Sequence, residues 1–426
     1  MGGSKRVRKY LIPTLLIVVL AVSVAAYTSY SVGTLPKNNP NVYVGVAFGG
    51  NTTQEAKVLI DKVKGYTNLF ILDSGRNPIT QNETAVEEIC DYAVANGLSV
   101  IINMGIDDHL DRSRYWFWNQ SLDVTEKWKA MWGDKFLGMY YNDEPGGIQL
   151  DGNWSAWFRT YGMYFLERYN SSKTARDLYQ IYLKMLGYMN NKTYPSNYDL
   201  EANFFVNDIL KGDSGFNALK AAGVATFTSD YGLYWFDYLG GYNVMFTELG
   251  WNCSVAEQIA LVKGAARMQG KEWGAMITWK YSGESYYLDT GPQIYNQMLT
   301  SYEAGAKYIA VFDYPYNGSE YGALNSYQLI AMQSFWNDIH QKQFPDLSGP
   351  EAALVLPRNY GWGMRDPNDT IWGFWPPDDK TVTVAIATSI LLAKYGVSLD
   401  IVYDDPHYPV ANIDYQHVYY WNSTNI

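Results

Sequence analysis

Eight short, β-forming apolar runs punctuate residues 43–315, each succeeded by a stretch with helical periodicity. The runs occupy 43–48, 69–73, 98–105, 136–143, 224–230, 243–250, 273–281 and 307–315. Most are apolar at successive positions, so both faces of each strand must be covered, which calls for parallel strands joined by crossover helices. The intervening stretches carry helix start and stop signals. Thr53 leads QEAKVLIDKVKGY, Asn82 leads ETAVEEICDYAVANG to Gly97, and SVAEQIALVKGAARMQG closes on Gly270. Eight such repeats in about 275 residues fit a (β/α)8 TIM barrel. An open doubly wound sheet would bring a GxGxxG phosphate loop, and the sequence has none. With 47% hydrophobic and 18% charged residues, the chain can bury a core of that size.

Residues 41–340 therefore read as the barrel. The segment 145–223 is far longer than one crossover requires. Its helical patterns near 154–168, 174–190 and 202–222 read as an insertion over the C-terminal mouth, a lid or substrate wall. From Gly349 the alternation restarts with the strand AALVLP, a Gly/Trp/Pro-rich loop, the helix TVTVAIATSILLAKYG, the strand LDIVYDD and a last strand HVYYW. Residues 350–426 thus form a small α/β unit, thin for an independent core, that either packs on the barrel or is incomplete.

The first 35 residues set Lys5, Arg6, Arg8 and Lys9 before the apolar run YLIPTLLIVVLAVSVAAY, an export segment that leaves the bulk of the chain outside the cell. Small residues Ser23, Ala25 and Ala26 suit cleavage of a signal peptide. A run of about 17 apolar residues equally suits an uncleaved transmembrane anchor. Asn51, Asn82, Asn119, Asn153, Asn170, Asn191, Asn252, Asn317, Asn368 and Asn422 each open an Asn-x-Ser/Thr sequon, against about four expected from composition. A glycoprotein of archaeal or eukaryotic type is expected, secreted or at the cell surface and meeting the membrane only through its N-terminal segment. Net charge of −11 opposes binding to nucleic acid. Cys90 and Cys253 show no metal-binding spacing and are expected as separate buried thiols. Oligomeric state is not legible.

Barrel chemistry sits at the C-terminal strand ends. There the runs close on Asp73, Asp143 with Glu144, Asp230, Glu248 and Asp313, together with Asn103, Tyr231, Trp251, Trp279, Lys280, Tyr281 and Tyr314. Carboxylates gathered round one mouth raise one another's proton affinity. In YNDEPGG, 141–147, Pro145 stops the strand and sets Asp143 and Glu144 on a stiff shelf, although the same residues are good turn chemistry. In FTELGWN, 246–252, the apolar neighbours of Glu248 favour its protonated form. Asp73, Asp230 and Asp313 suit helix capping as readily as substrate binding. The stretch IDDHLD, 106–111, with His109, reads as a solvated loop, and no metal or other cofactor is expected. Aromatic residues make up 16% of the chain; most must pack in the core, and a minority can offer flat faces to sugar rings.

On these motifs the chain resembles the glycoside hydrolase barrels at superfamily level, over residues 41–340. Residues 350–420 are similar to the α/β domain that follows the barrel in some β-galactosidase-type enzymes. The resemblance implies an extracellular glycoside hydrolase acting on a poly- or oligosaccharide, with Glu144 as general acid, Asp143 as its partner and Glu248 as second carboxylate. Asp73, Asn103, Asp230, Tyr231, Trp251, Trp279, Lys280, Tyr281 and Asp313 become the expected substrate contacts. The largest group of such retaining enzymes carries a second Glu at the end of strand seven, whereas TWKY here has no acid nearer than Glu284. Adjacent Asp143 and Glu144 resemble instead hexosaminidases whose substrate supplies its own acetamido nucleophile, Asp143 orienting that group and Tyr281 or Tyr231 bonding its oxygen. A third arrangement pairs Glu144 with Glu248, at about 5 to 5.5 Å for retention or about 6.5 to 9.5 Å for inversion. The alternative of another class is a non-catalytic carbohydrate-binding or cell-envelope protein. A peptidase finds no support, since HExxH and GxSxG are both absent.

Overall fold

The computed structural model describes residues 42–73, 79, 82–104, 122–151, 197–250, 253–282, 285–314 and 323–423, with scattered positions between 166 and 183. Eight parallel strands close into a barrel: β1 (Tyr43–Phe48), β2 (Leu69–Leu72), β3 (Ser99–Asn103), β4 (Phe136–Tyr140), β5 (Thr226–Asp230), β6 (Val244–Glu248), β7 (Glu272–Ile277) and β10 (Tyr308–Asp313). β10 returns to pair with β1 from Tyr43 against Tyr308 to Phe48 against Asp313, which leaves no free edge. Alternate residues point to the axis. Ala47, Ile71, Ile101, Tyr140, Phe227, Phe246, Met276 and Ala310 belong to an inner cluster, while the intervening residues pack outward against the helices.

The helices begin where short polar side chains satisfy first-turn amides. Thr52 and Glu55 form a capping box at the start of α1 (Thr53–Val63), and Asn82 accepts from Thr84 and Ala85 at α2 (Glu83–Ala95). α3 (Asp123–Trp132) precedes β4, and the short α4 (Pro145–Leu150) follows the shelf. Of the expected insertion, α5 (Tyr198–Asn203), a π-helical turn (Phe204–Leu210) and α6 (Ser214–Ala221) are described; the patterns near 154–168 and 174–190 fall mainly outside the described residues. α7 (Tyr234–Gly240), α8 (Val255–Met268), α9 (Gly291–Glu303) and α10 (Ser326–Gln341) complete the ring. Ser254 caps α8 at its N-terminus.

The seventh run is shorter than its apolar composition suggested. β7 ends at Ile277, and Lys280–Ser282 form β8 of a separate antiparallel hairpin with β9 (Ser285–Tyr287). Lys280 is an ion-pair partner of Asp289 at 2.9 Å. The thiols also differ from expectation in part: both are free, but only Cys90 is buried and Cys253 is half-buried.

Beyond the barrel, β11 (Ala352–Leu356) lies between β12 (Leu399–Tyr403) and β13 (His417–Tyr420) in an all-parallel three-stranded sheet. Helix α11 (Asp379–Tyr395) covers it with Val384, Ala387, Leu391 and Tyr395. Its stretch Asp379–Ser398 is long and apolar enough to cross a membrane, yet this packing is that of a core helix with one face exposed. The small unit is fastened to the barrel rather than tethered to it. At Gly264 of α8 a Cβ would stand 2.4 Å from the Ile401 carbonyl oxygen of β12, so only glycine permits that approach. Buried Asp400 pairs with Lys263 at 3.1 Å and Arg267 at 2.5 Å, and accepts from the Tyr415 hydroxyl at 2.7 Å.

Candidate active site at the barrel mouth

Strand β4 stops at Tyr140 because the next residues are pinned elsewhere. The Tyr141 hydroxyl donates to Asp213 at 2.9 Å, the Tyr242 hydroxyl donates to the Tyr141 carbonyl at 2.9 Å, and Thr228 donates to the Asn142 carbonyl. Asn142 and Glu144 both adopt left-handed backbone, at φ 54° and 47°. Such conformations are strained for residues with a Cβ and persist where their surroundings impose them, often at functional sites. The Glu144 amide donates to the Ser229 carbonyl at 3.2 Å, and Pro145 then opens α4 at its first position, where a missing amide is harmless.

The start of α4 is itself held by buried Asp230. Its carboxylate accepts from the amides of Gly146 at 2.6 Å, Gly147 at 2.9 Å and Tyr231 at 2.7 Å. A Cβ on Gly147 would lie 2.3 Å from the Tyr231 ring, so this glycine lets the ring pass beneath the shelf. The Tyr231 hydroxyl donates to Asp151 at 2.8 Å, and Arg365 of the small unit lies over its ring, 5.4 Å from the centroid, while pairing with Asp151 at 2.6 Å and Asp369 at 2.7 Å. Gln149 donates to the Trp372 carbonyl at 2.8 Å, and Thr370 to the Leu150 carbonyl at 3.0 Å. The helix behind Glu144 is thus clamped from both units.

Inward-facing residues at the strand ends complete the mouth. Asn103 donates to Asp73 at 2.5 Å. Ser229 donates to Glu248 at 2.5 Å, and the Tyr140 hydroxyl lies 2.7 Å from the Ser229 oxygen and donates to Asp143. The charge of Glu248 acts on the Glu144 carboxyl across the mouth. Burial, then the charges of Asp143 and Glu248, push Asp73 up to about 8. Glu144 is held well above the ordinary carboxylate range by burial, then by the charges of Glu248, Asp143 and Asp230. A carboxylic acid that keeps its proton at neutral pH is the equipment of a general acid.

The structure thus brings Asp73, Asn103, Asp143, Glu144 and Glu248 together. It turns Asp230 to the loop amides, and Asp313 likewise accepts from the Leu324 amide at 2.6 Å, so both fit the capping reading. Trp279 packs edge-on against Phe312 and Tyr314. Trp251, the Tyr281 side chain and His109 lie outside the described residues. Tyr140 and Ser229 are the members that sequence reading missed. Their signal was the period-two alternation, since Ser229 and Glu248 stand two residues after inward-facing Phe227 and Phe246. Among the described residues, no group of three or more His, Cys, Asp and Glu side chains could hold a metal ion.

No family model matches the sequence, and no curated protein does. Solved structures do. GH5_18 from Streptomyces cattleya, in complex with GlcNAc, is 12% identical at a TM-score of 0.47, over 89% of this chain and 98% of that one. The pneumococcal virulence factor StrH, in a structure concerned with N-glycan recognition and hydrolysis, is 10% identical at 0.37, over 72% and 86%. A 3-hexulose-6-phosphate synthase is 12% identical at 0.32, over 70% and 99%. Glycoside hydrolases are therefore among its structural neighbours, beside barrels of other chemistry. At these identities the likeness concerns the fold alone, and the chemistry must be argued from the site.

Proposed function

We propose that this protein is a glycoside hydrolase that cleaves a poly- or oligosaccharide outside the cell, with Glu144 as the proton donor to the leaving oxygen. The observation that carries the reading is the convergence of Asp143, Glu144 and Glu248 at the barrel's C-terminal end, with Glu144 raised in proton affinity and locked in left-handed backbone. Glu144 supplies the proton, while the Asp143–Glu248 pair supplies negative charge beside the carbon that becomes electron-poor as the bond breaks. In this reading Asp73 and Asn103, hydrogen-bonded to each other from neighbouring strands, hold sugar hydroxyls.

An extracellular site of action is supported by the N-terminal apolar segment and by the sequons. Five sequon asparagines fall within the described residues, Asn51, Asn82, Asn170, Asn368 and Asn422, and all five are exposed, as glycan attachment requires. The test is turnover of purified protein against aryl glycosides and polysaccharides. Glu144→Gln should lower kcat on a responding substrate by about 10²- to 10⁴-fold with the fold intact. Undiminished turnover in that variant removes Glu144 from the mechanism.

A further inference from the structure

The acids of the mouth are joined by two hydroxyls in an unbroken chain. Asp143 meets the Tyr140 hydroxyl, Tyr140 meets Ser229 at 2.7 Å, and Ser229 meets Glu248 at 2.5 Å. Every oxygen–oxygen contact in such a chain needs one proton between its atoms, or two lone pairs face each other. Tyr140 and Ser229 bring one hydroxyl proton each, which leaves one contact to be filled from the carboxyl groups. The fully bonded chain therefore holds one carboxyl proton and one negative charge between Asp143 and Glu248.

We propose that Tyr140 and Ser229 are positioning residues forming a proton relay across the mouth, through which Asp143 and Glu248 exchange a single negative charge. This rests on the reading of Glu144 as general acid. In one arrangement Tyr140 donates to ionised Asp143, Ser229 donates to Tyr140, and protonated Glu248 donates to Ser229. The other follows when Asp143 takes the Tyr140 proton, Tyr140 takes that of Ser229, and Ser229 takes that of Glu248. Three O–H bonds break, three form, and the charge passes from Asp143 to Glu248.

The chain runs from exposed Asp143 through buried hydroxyls to buried Glu248. Tyr140 is fully buried, its oxygen also accepts from the Ser229 amide at 3.1 Å, and that amide fixes the phenol while its proton stays free to face either neighbour. The ionisable groups round the chain are Asp73 from the end of β2, Asp143 and Glu144 from the shelf, Asp230 and Tyr231 behind β5, and Glu248 from β6; Lys280 beyond β7 is engaged by Asp289. The relay gives the site a choice of where negative charge sits, beside either face of a bound ring, without releasing the donor's proton.

The experiment is a pH titration of the carboxyl infrared bands of the full chain, with labelled aspartate to separate the two acid types. Difference spectra against Asp143→Asn and Glu248→Gln assign the bands. Ser229 touches Glu248 and Tyr140 but has no direct bond to Asp143 in the chain. Ser229→Ala should nonetheless move the Asp143 midpoint by about one pH unit or more, as expected of coupled sites, and Ser229→Thr should restore it. Tyr140→Phe should move the Glu248 midpoint likewise; if that variant does not fold, the Ser229 pair decides. An Asp143 midpoint unmoved by Ser229→Ala overturns the relay and leaves Glu144 as acid. Unimpaired turnover in Glu144→Gln sinks the functional reading while leaving the coupled titration in place.

Discussion

Replacing Asp73 by asparagine should make this protein more stable, and more so at higher pH. Asp73 sits half-buried beside Asn103, and its proton affinity is raised from the ordinary 3.8 to about 8. In the unfolded chain the carboxyl ionises near pH 4, whereas the folded chain keeps its proton to about pH 8. Between those values the folded state binds more protons, so folding stability falls as pH rises, by about 1.4 kcal/mol per pH unit. At pH 7 the retained proton accounts for about 4 kcal/mol of lost stability, an upper figure because the site titrates together with its neighbours. Asparagine carries no charge in either state, and its carbonyl oxygen can still accept from Asn103. Denaturant unfolding of parent and variant at pH 3, 7 and 9 should show near-equal stability in acid, a clear advantage for the variant at pH 7 and a plateau above pH 8. A variant that is less stable at neutral pH, or a difference that does not change with pH, would refute the account of Asp73 as a carboxyl kept protonated by burial and like charge.

Other outcomes follow from the shelf and its supports. Gly147→Ala forces a methyl to within 2.3 Å of the Tyr231 ring; overpacking of this kind costs about 1–3 kcal/mol, and the displacement of Glu144 should appear as a drop in kcat larger than any rise in KM. Arg365→Ala strands the buried Asp369 carboxylate and should cost about 3–5 kcal/mol in thermal or denaturant unfolding, with Arg365→Lys recovering only part because lysine lacks the two-pronged fork. Removing N-glycans from protein made in its own host should lower its mass, with sites mapped to Asn51, Asn82, Asn170, Asn368 and Asn422; unmodified peptides at all five would remove that support for an extracellular location.

The barrel was legible because burial on both faces leaves apolar runs that hydrophobic patterning reports directly. The expected runs 43–48, 69–73 and 224–230 differ from the observed strands by at most two residues at one end. The seventh run failed at its end because Thr278 to Tyr281 remain β-forming by composition while the chain leaves the barrel for a hairpin; apolar content does not record that change of partner. The acids separated by parity. Asp73 and Glu248 lie two residues beyond inward Ile71 and Phe246, whereas Asp230 and Asp313 lie on the outward phase and bond amides. On the shelf parity is lost, because Asn142 and Glu144 leave extended backbone for the left-handed region, a choice made by Asp213, Thr228 and Ser229 from other elements.

The loop carrying Arg365, Thr370 and Trp372 reaches back from the small unit to grip α4, the helix that starts directly behind Glu144. Minimising this protein by trimming it after the eighth barrel strand would therefore not yield a leaner version of the same site. It would take away the abutment against which the acid is braced, so the two halves of the chain are obliged to travel, and to vary, together.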